Sequence, residues 1–182
     1  MTIARSRFFD SFAHLESCGS YDEIPVLPFE VDPQVHVSLA DRPQPFYLIC
    51  EKDTMLVQMS GAASIKLVHP QVRYFQTVPG DYVYIPAGTP HLIEPKKAGM
   101  IHRYKAATTQ LEGVAWYCAS CQQEVHREVW RYSDEAPQAA YVRFTEAFNQ
   151  SEEQRTCKTC ATVHPTVSLE GTRWAEMIAQ KQ

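Results

Sequence analysis

Short runs rich in β-branched and aromatic residues recur through the middle of the chain, at 35–39, 46–50, 55–59, 64–68, 72–78, 82–86 and 100–106. Pro43, Gly61, Pro79, Gly80, Ala87 and Gly88 punctuate them with turn chemistry. Many short strands at this spacing predict an antiparallel sandwich or barrel. The flanks differ. Phe8, Phe9, Phe12 and Leu15 recur at helical spacing and predict a short amphipathic helix over 5–16. Residues 19–34 are rich in Pro, Asp and Gly and read as a connecting loop. After residue 117 the strand rhythm is expected to stop. Ala140, Phe144 and Phe148 place one apolar face on a helix over 137–150, and Trp174, Met177 and Ile178 do so over 170–180. The expected organisation is an N-terminal helix and loop arm over 1–34, a barrel over 35–116 and a C-terminal extension over 117–182.

A chain of 182 residues is long enough to bury a real core in one domain with an appendage. The formal net charge is -4 and charges of both signs are scattered, which gives no electrostatic case for nucleic acid or an anionic membrane. No run of eighteen apolar residues occurs. The first sixteen residues carry charge at both ends and no continuous apolar core, unlike a secretory leader. A cytoplasmic location is the expectation.

The stretch from Gly80 to Pro95, GDYVYIPAGTPHLIEP, has the skeleton G-x5-P-x-G-x2-H. It resembles the second cupin motif. A strand runs into a tight turn shaped by Pro86 and Gly88 and re-enters the barrel with His91 facing inward. The fold this implies is all-β: a cupin, the double-stranded β-helix or jelly-roll barrel, with short N- and C-terminal helices. In many cupins this His is one ligand of a central metal. The first cupin motif would supply the others upstream of Gly61, but counting back from Gly61 reaches Thr54, Cys50 and Leu48, none of them His or Glu. One His does not hold a catalytic metal. A rebuilt shell could draw on Cys50, Glu51, Asp53 or His102; each also has a plainer reading as core, turn or outer-face residue.

Six cysteines stand at 18, 50, 118, 121, 157 and 160. Cys118 and Cys121, and Cys157 and Cys160, form two C-x-x-C pairs. Two such turns can place four thiolates on one tetrahedral ion, which suits Zn(II) or a single rubredoxin-like Fe. Two local dithiols or disulfides are the alternative. Gln122 and Ala161 follow the second Cys of each pair, where a Gly would ease the turn. A closed four-sulfur site is structural and would pin the C-terminal extension to the barrel.

A cupin followed by WYC-x2-C with VHR, and C-x2-C with VHP, resembles bacterial 3-hydroxyanthranilate 3,4-dioxygenase over about 46–165. The resemblance implies a small-molecule substrate, a homodimer, a rubredoxin-like metal on the four Cys and a catalytic Fe(II) on two His and one Glu. Of that triad only His91 is matched; Leu48 and Thr54 fall at the other two positions. Where the family clamps the substrate carboxylate with arginines and uses a Glu, this sequence has Gln44, Pro95 or Lys96, and Arg103. Ring cleavage by the family mechanism is therefore not expected.

The leading expectation is a diverged cupin enzyme acting on a small aromatic or amino-acid-like substrate, with His91, Cys50, His102 and Arg103 as candidate active-site residues. Without a barrel metal, His91 would serve as general acid or base and Arg103 or Lys96 as an anion anchor. The alternatives are a non-catalytic ligand-binding or accessory cupin, and an authentic Fe(II)-dependent dioxygenase.

Overall fold

A computed structural model describes residues 9–28, 30–68 and 71–179. A short helix α1 (Ser11–Leu15) is followed by nine strands: β1 (Ile24–Pro25), β2 (Gln34–Ala40), β3 (Tyr47–Cys50), β4 (Thr54–Gln58), β5 (Ala62–Leu67), β6 (Tyr74–Thr77), β7 (Tyr82–Ile85), β8 (His91–Lys97) and β9 (Gly99–Lys105). Then come β10 (Leu111–Tyr117), β11 (Glu124–Arg131), α2 (Pro137–Gln150), α3 (Glu152–Arg155) and α4 (Trp174–Ala179).

One sheet has the order β1-β2-β9-β4-β7 and the other β11-β10-β3-β8-β5-β6. Without the appended β1, β10 and β11, two four-stranded antiparallel sheets remain, β2-β9-β4-β7 facing β3-β8-β5-β6. That order is the jelly roll expected from the turn motif, and the fold is a cupin barrel. Strand alternation sends Leu56, Val83, Ile85 and Ile101 of one sheet, and Leu48, Ala63, Ile65 and Ile93 of the other, into a shared core. Gly61 and Gly88, both at φ 72°, make turns that L side chains rarely adopt. At Gly61 a Cβ would also meet the backbone of Lys97 and Ala98 at 2.5 Å.

Two sequence expectations are corrected. The strand rhythm does not stop at 117, because β11 pairs along β10 from Leu111↔Arg131 to Tyr117↔Glu124. Its charged residues at 124, 127, 128 and 131 hide it from a search for apolar runs. Within the described part of 5–16 the helix starts at Ser11, where the Asp10 side chain caps it by accepting from Phe12 N and Ala13 N. Phe8 lies outside the described residues, as does Gln180 at the far end of the last expected helix.

The inner face of β10 and β11 passes beyond the facing sheet and is covered by helices. Ala140, Tyr141, Phe144 and Phe148 of α2 form the covering stripe, with Pro137 at the helix start. Phe148 stacks on Trp116 with centroids 4.1 Å apart and planes 6° from parallel. Trp174 of α4 is fully buried and donates to the Tyr21 carbonyl at 2.9 Å. No described helix is long and apolar enough to cross a membrane.

Candidate metal centre and barrel site

The four paired cysteines converge. Their sulfurs all lie within 4.8 Å of one another, with Cys118 to Cys160 and Cys121 to Cys157 at 3.5 Å each. Zinc–sulfur bonds of about 2.3 Å put tetrahedral sulfurs about 3.8 Å apart, so the donor set fits one Zn or Fe ion. Each half is built alike. Cys118 N–H donates to Gln123 O at 2.9 Å and Gln122 N–H to Cys118 O at 2.8 Å. Cys157 N–H donates to Thr162 O at 2.9 Å and Ala161 N–H to Cys157 O at 2.8 Å. The two turns are thus copies of one knuckle. In both, the residue where a Gly was missed is left-handed, Gln122 at φ 60° and Ala161 at φ 59°. A non-Gly residue there costs about 1–2 kcal/mol.

Backbone N–H groups aimed at sulfur prepare the site for thiolates. They lower Cys118, chiefly from Cys121, and Cys157, chiefly from Cys160; the Thr162 hydroxyl leads in lowering Cys160. Cys121 also accepts from Gln123, yet its burial and its sulfur neighbours push it up to about 12, so binding an ion there releases a proton. Among the described residues this is the one group of three or more His, Cys, Asp or Glu donors close enough to share an ion.

The barrel centre is built differently. Gly88 N–H donates to Cys50 O at 2.8 Å, which closes the turn and starts β8 with His91 facing inward and fully buried. The His91 Nδ1 hydrogen points at Thr89 O, 3.1 Å away. This fixes the tautomer and leaves the Nε2 lone pair for a partner. That partner is Arg103 of β9, whose Nη1 donates to it. Burial first, then the Arg103 charge, lowers His91 to about 3, so the ring is neutral. A guanidinium hydrogen therefore stands where a metal would use the same lone pair. Leu48 pairs directly across from His91, and the Thr54 hydroxyl donates to Tyr104 O at 2.7 Å. These side chains do not complete a shell for the iron of the resemblance.

Arg103 belongs to a network that sequence reasoning missed. Its Nε lies 3.1 Å from Glu23, whose other oxygen accepts from Lys105 Nζ at 3.0 Å and from the Tyr141 hydroxyl at 3.1 Å. Lys105 also reaches Glu112 at 2.8 Å. Arg103, Lys105, Glu23 and Glu112 are all at least nine-tenths buried. Burial would raise Glu23, but Lys105 and Arg103 outweigh it and hold Glu23 at about 2. Glu112, with a smaller share of the same cations, is raised by burial. His36, opposite Arg103 on β2, is lowered to about 4, mainly by burial and then by Lys105.

Of the sequence candidates, His91, Cys50 and Arg103 meet inside the barrel. Cys50 sits opposite Glu112, and burial pushes its thiol up to about 11, which favours the protonated form over a nucleophilic thiolate. His102 does not join them: alternation along β9 turns it to the other face of its sheet, between Val37 and Val57. Gln44 is spent on the β8 backbone, its N–H donating to Ile93 O at 2.9 Å and its Oε1 accepting from Ile93 N at 3.3 Å. Lys96 lies at the surface on Glu94. The missed Lys105 could have been found from Arg103, since two residues apart on a strand they share a face. Glu23 and Glu112 come from a loop and a strand that carried no signal.

No family model matches the chain. Curated relatives do. It is 29% identical over 133 residues to a protein of Podospora anserina, covering 69% of this chain and 70% of that one, whose name is 3-hydroxyanthranilate 3,4-dioxygenase. This chain resembles the 3-hydroxyanthranilate 3,4-dioxygenases. A protein of that name from Aspergillus clavatus, numbered 1, is 31% identical over 63% of this chain and 62% of its own. The 3-hydroxyanthranilate 3,4-dioxygenase of Bacillus thuringiensis is 31% identical over 47% of this chain and 48% of its own. Among solved structures, hydroquinone 1,2-dioxygenase PnpCD overlays with a TM-score of 0.48 at 15% identity, over 58% of this chain and 78% of that one.

Proposed function

We propose that this chain is a diverged cupin enzyme of the 3-hydroxyanthranilate dioxygenase line. In this reading it acts on a small aromatic or amino-acid-like molecule by chemistry other than iron-dependent ring cleavage. The observation that carries the reading is the Arg103 hydrogen on the Nε2 of His91. In the register of the resemblance two of the three ligand positions fall on Leu48 and Thr54, and the third, His91, already accepts from an internal cation. The four cysteines then hold the protein's metal, Zn or Fe, as a structural ion. A second reading, a non-catalytic ligand-binding or accessory cupin, is favoured by the closure of the centre, where His91 and Arg103 have almost no exposed surface.

The test supplies the protein, loaded with Fe(II) in air, with 3-hydroxyanthranilate and follows the absorbance of the ring-opened product. The proposal expects none. Product that depends on added Fe(II) and disappears in His91→Ala would establish the dioxygenase activity instead. A survey of aromatic and amino acids for turnover lost in His91→Ala then separates the enzyme from the binding module.

A further inference from the structure

One of the two anions at the barrel centre does not come from a strand. Arg103 and Lys105 project from one strand, and the Tyr141 hydroxyl meets the same carboxylate from α2. Their shared partner, Glu23, arrives on the loop between α1 and β1. That loop is held in an unfavourable shape: Tyr21 and Glu23 are left-handed, at φ 54° and 49°. Neither is a Gly, and backbone of this kind persists only where the surroundings impose it.

The charges explain what the loop achieves. Two cations, Arg103 and Lys105, face two carboxylates, Glu23 and Glu112. Without Glu23 the centre would keep two positive charges against one negative, in a place shielded from water, which favours uptake of an anion. The Glu23 carboxylate engages the same three donors, Arg103 Nε, Lys105 Nζ and Tyr141 OH, that a free carboxylate would use. Beside it are two buried polar atoms without partners, His36 Nδ1 and Glu112 Oε2, which could serve further polar groups of a ligand.

We propose that Arg103, Lys105 and Tyr141 form a seat for a small carboxylate, and that Glu23 fills it as a tethered stand-in on a strap, residues 19–23, that swings aside when a free carboxylate binds. The proposal rests on the reading of the barrel as a small-molecule site and names the class of that molecule. The strap is held by Tyr21 N–H to Leu39 O at 3.0 Å, Ser20 N–H to Gly171 O at 3.2 Å and Glu23 N–H to the Ser38 hydroxyl at 3.2 Å, and by the side chains of Trp174 on Tyr21 O at 2.9 Å, Gln138 on Asp22 O at 2.8 Å and Arg173 on the Asp22 carboxylate at 2.8 Å, so its release is a local opening that breaks these bonds together.

Benzoate is the probe, with benzamide as its uncharged counterpart, on the full-length protein. Glu23→Gly empties the seat and suits the left-handed backbone at that position. Titration by calorimetry should show benzoate binding this variant at least about tenfold more tightly than wild type, because the tethered competitor is gone, and benzamide should not bind. In wild type, saturating benzoate should speed hydrogen exchange at the Tyr21 and Glu23 amides at least about tenfold. No benzoate binding to Glu23→Gly, or equal binding of benzamide, overturns the seat. Binding to the variant with wild-type exchange unchanged makes Glu23 a fixed structural ion and overturns the strap. If the variant does not fold, the wild-type exchange decides alone. Ring cleavage is scored separately by product absorbance, so failure of the seat is distinguishable from failure of the reading beneath it.

Discussion

The Nη1 of Arg103 donates to the Nε2 of His91 at the centre of the barrel. His91 is held there by the turn that a cupin uses to present a metal ligand, but its lone pair meets a guanidinium. The positive charge at the centre is covalent, and it is balanced by Glu23.

Arg103→Met should lower stability by about 3–5 kcal/mol, because it takes one of two buried cations from Glu23 and leaves His91 without a donor. Urea unfolding measures this. The same substitution on exposed Arg127 should cost no more than about 1 kcal/mol. A small effect at Arg103 would mean that the network is not formed.

Stability should fall on acidification from about pH 6.5 downward. His91 and His36 are buried neutral, at about 3 and 4 against 6.5 when exposed. Between those values the unfolded chain binds protons that the folded one does not, so each group removes about 1.4 kcal/mol per pH unit as pH drops. Glu23, held at about 2 against 4.5, adds a further loss as pH falls between those values. His91→Gln should flatten the upper part of the curve. An unchanged slope in that variant would contradict the burial of a neutral His91.

Ala161→Gly should stabilise the metal-loaded protein by about 0.5–1 kcal/mol, raising Tm by a few degrees, since it relieves a left-handed Ala at φ 59°. Ala161→Val should lower Tm. Calorimetry on both variants checks the knuckle geometry, and a drop with Gly would contradict it.

Stripping the metal with a chelator should loosen the C-terminal part before the barrel. An ion on the four sulfurs would tie the β10–β11 turn to the segment after α3. Hydrogen exchange should show protection lost at Cys118–Gln122 and Cys157–Thr162 and retained in β4 and β9. Equal loss in all four segments would mean that the ion supports the whole fold.

The parts of this structure that the sequence announces are the local ones. Pro86, Gly88 and His91 lie within six residues, and the turn they specify needs no distant partner. The cysteine pairs are legible because a C-x-x-C turn is itself the chelating unit. The inner network is of another kind. Glu23, Arg103, Lys105, Glu112 and Tyr141 come from a loop, two strands and a helix, and their convergence depends on register and on the insertion of the loop. His102 and Arg103 are neighbours in sequence, and only the facing of β9 decides which one enters the barrel.

The most direct test is elemental analysis of wild-type protein purified with iron and zinc in excess. One equivalent of metal per chain, lost in Cys118→Ser/Cys157→Ser, is the predicted result: the four cysteines hold the ion and Arg103 takes its place beside His91. Two equivalents in wild type, with one surviving in the cysteine variant and lost in His91→Ala, would put a metal in the barrel and contradict the account.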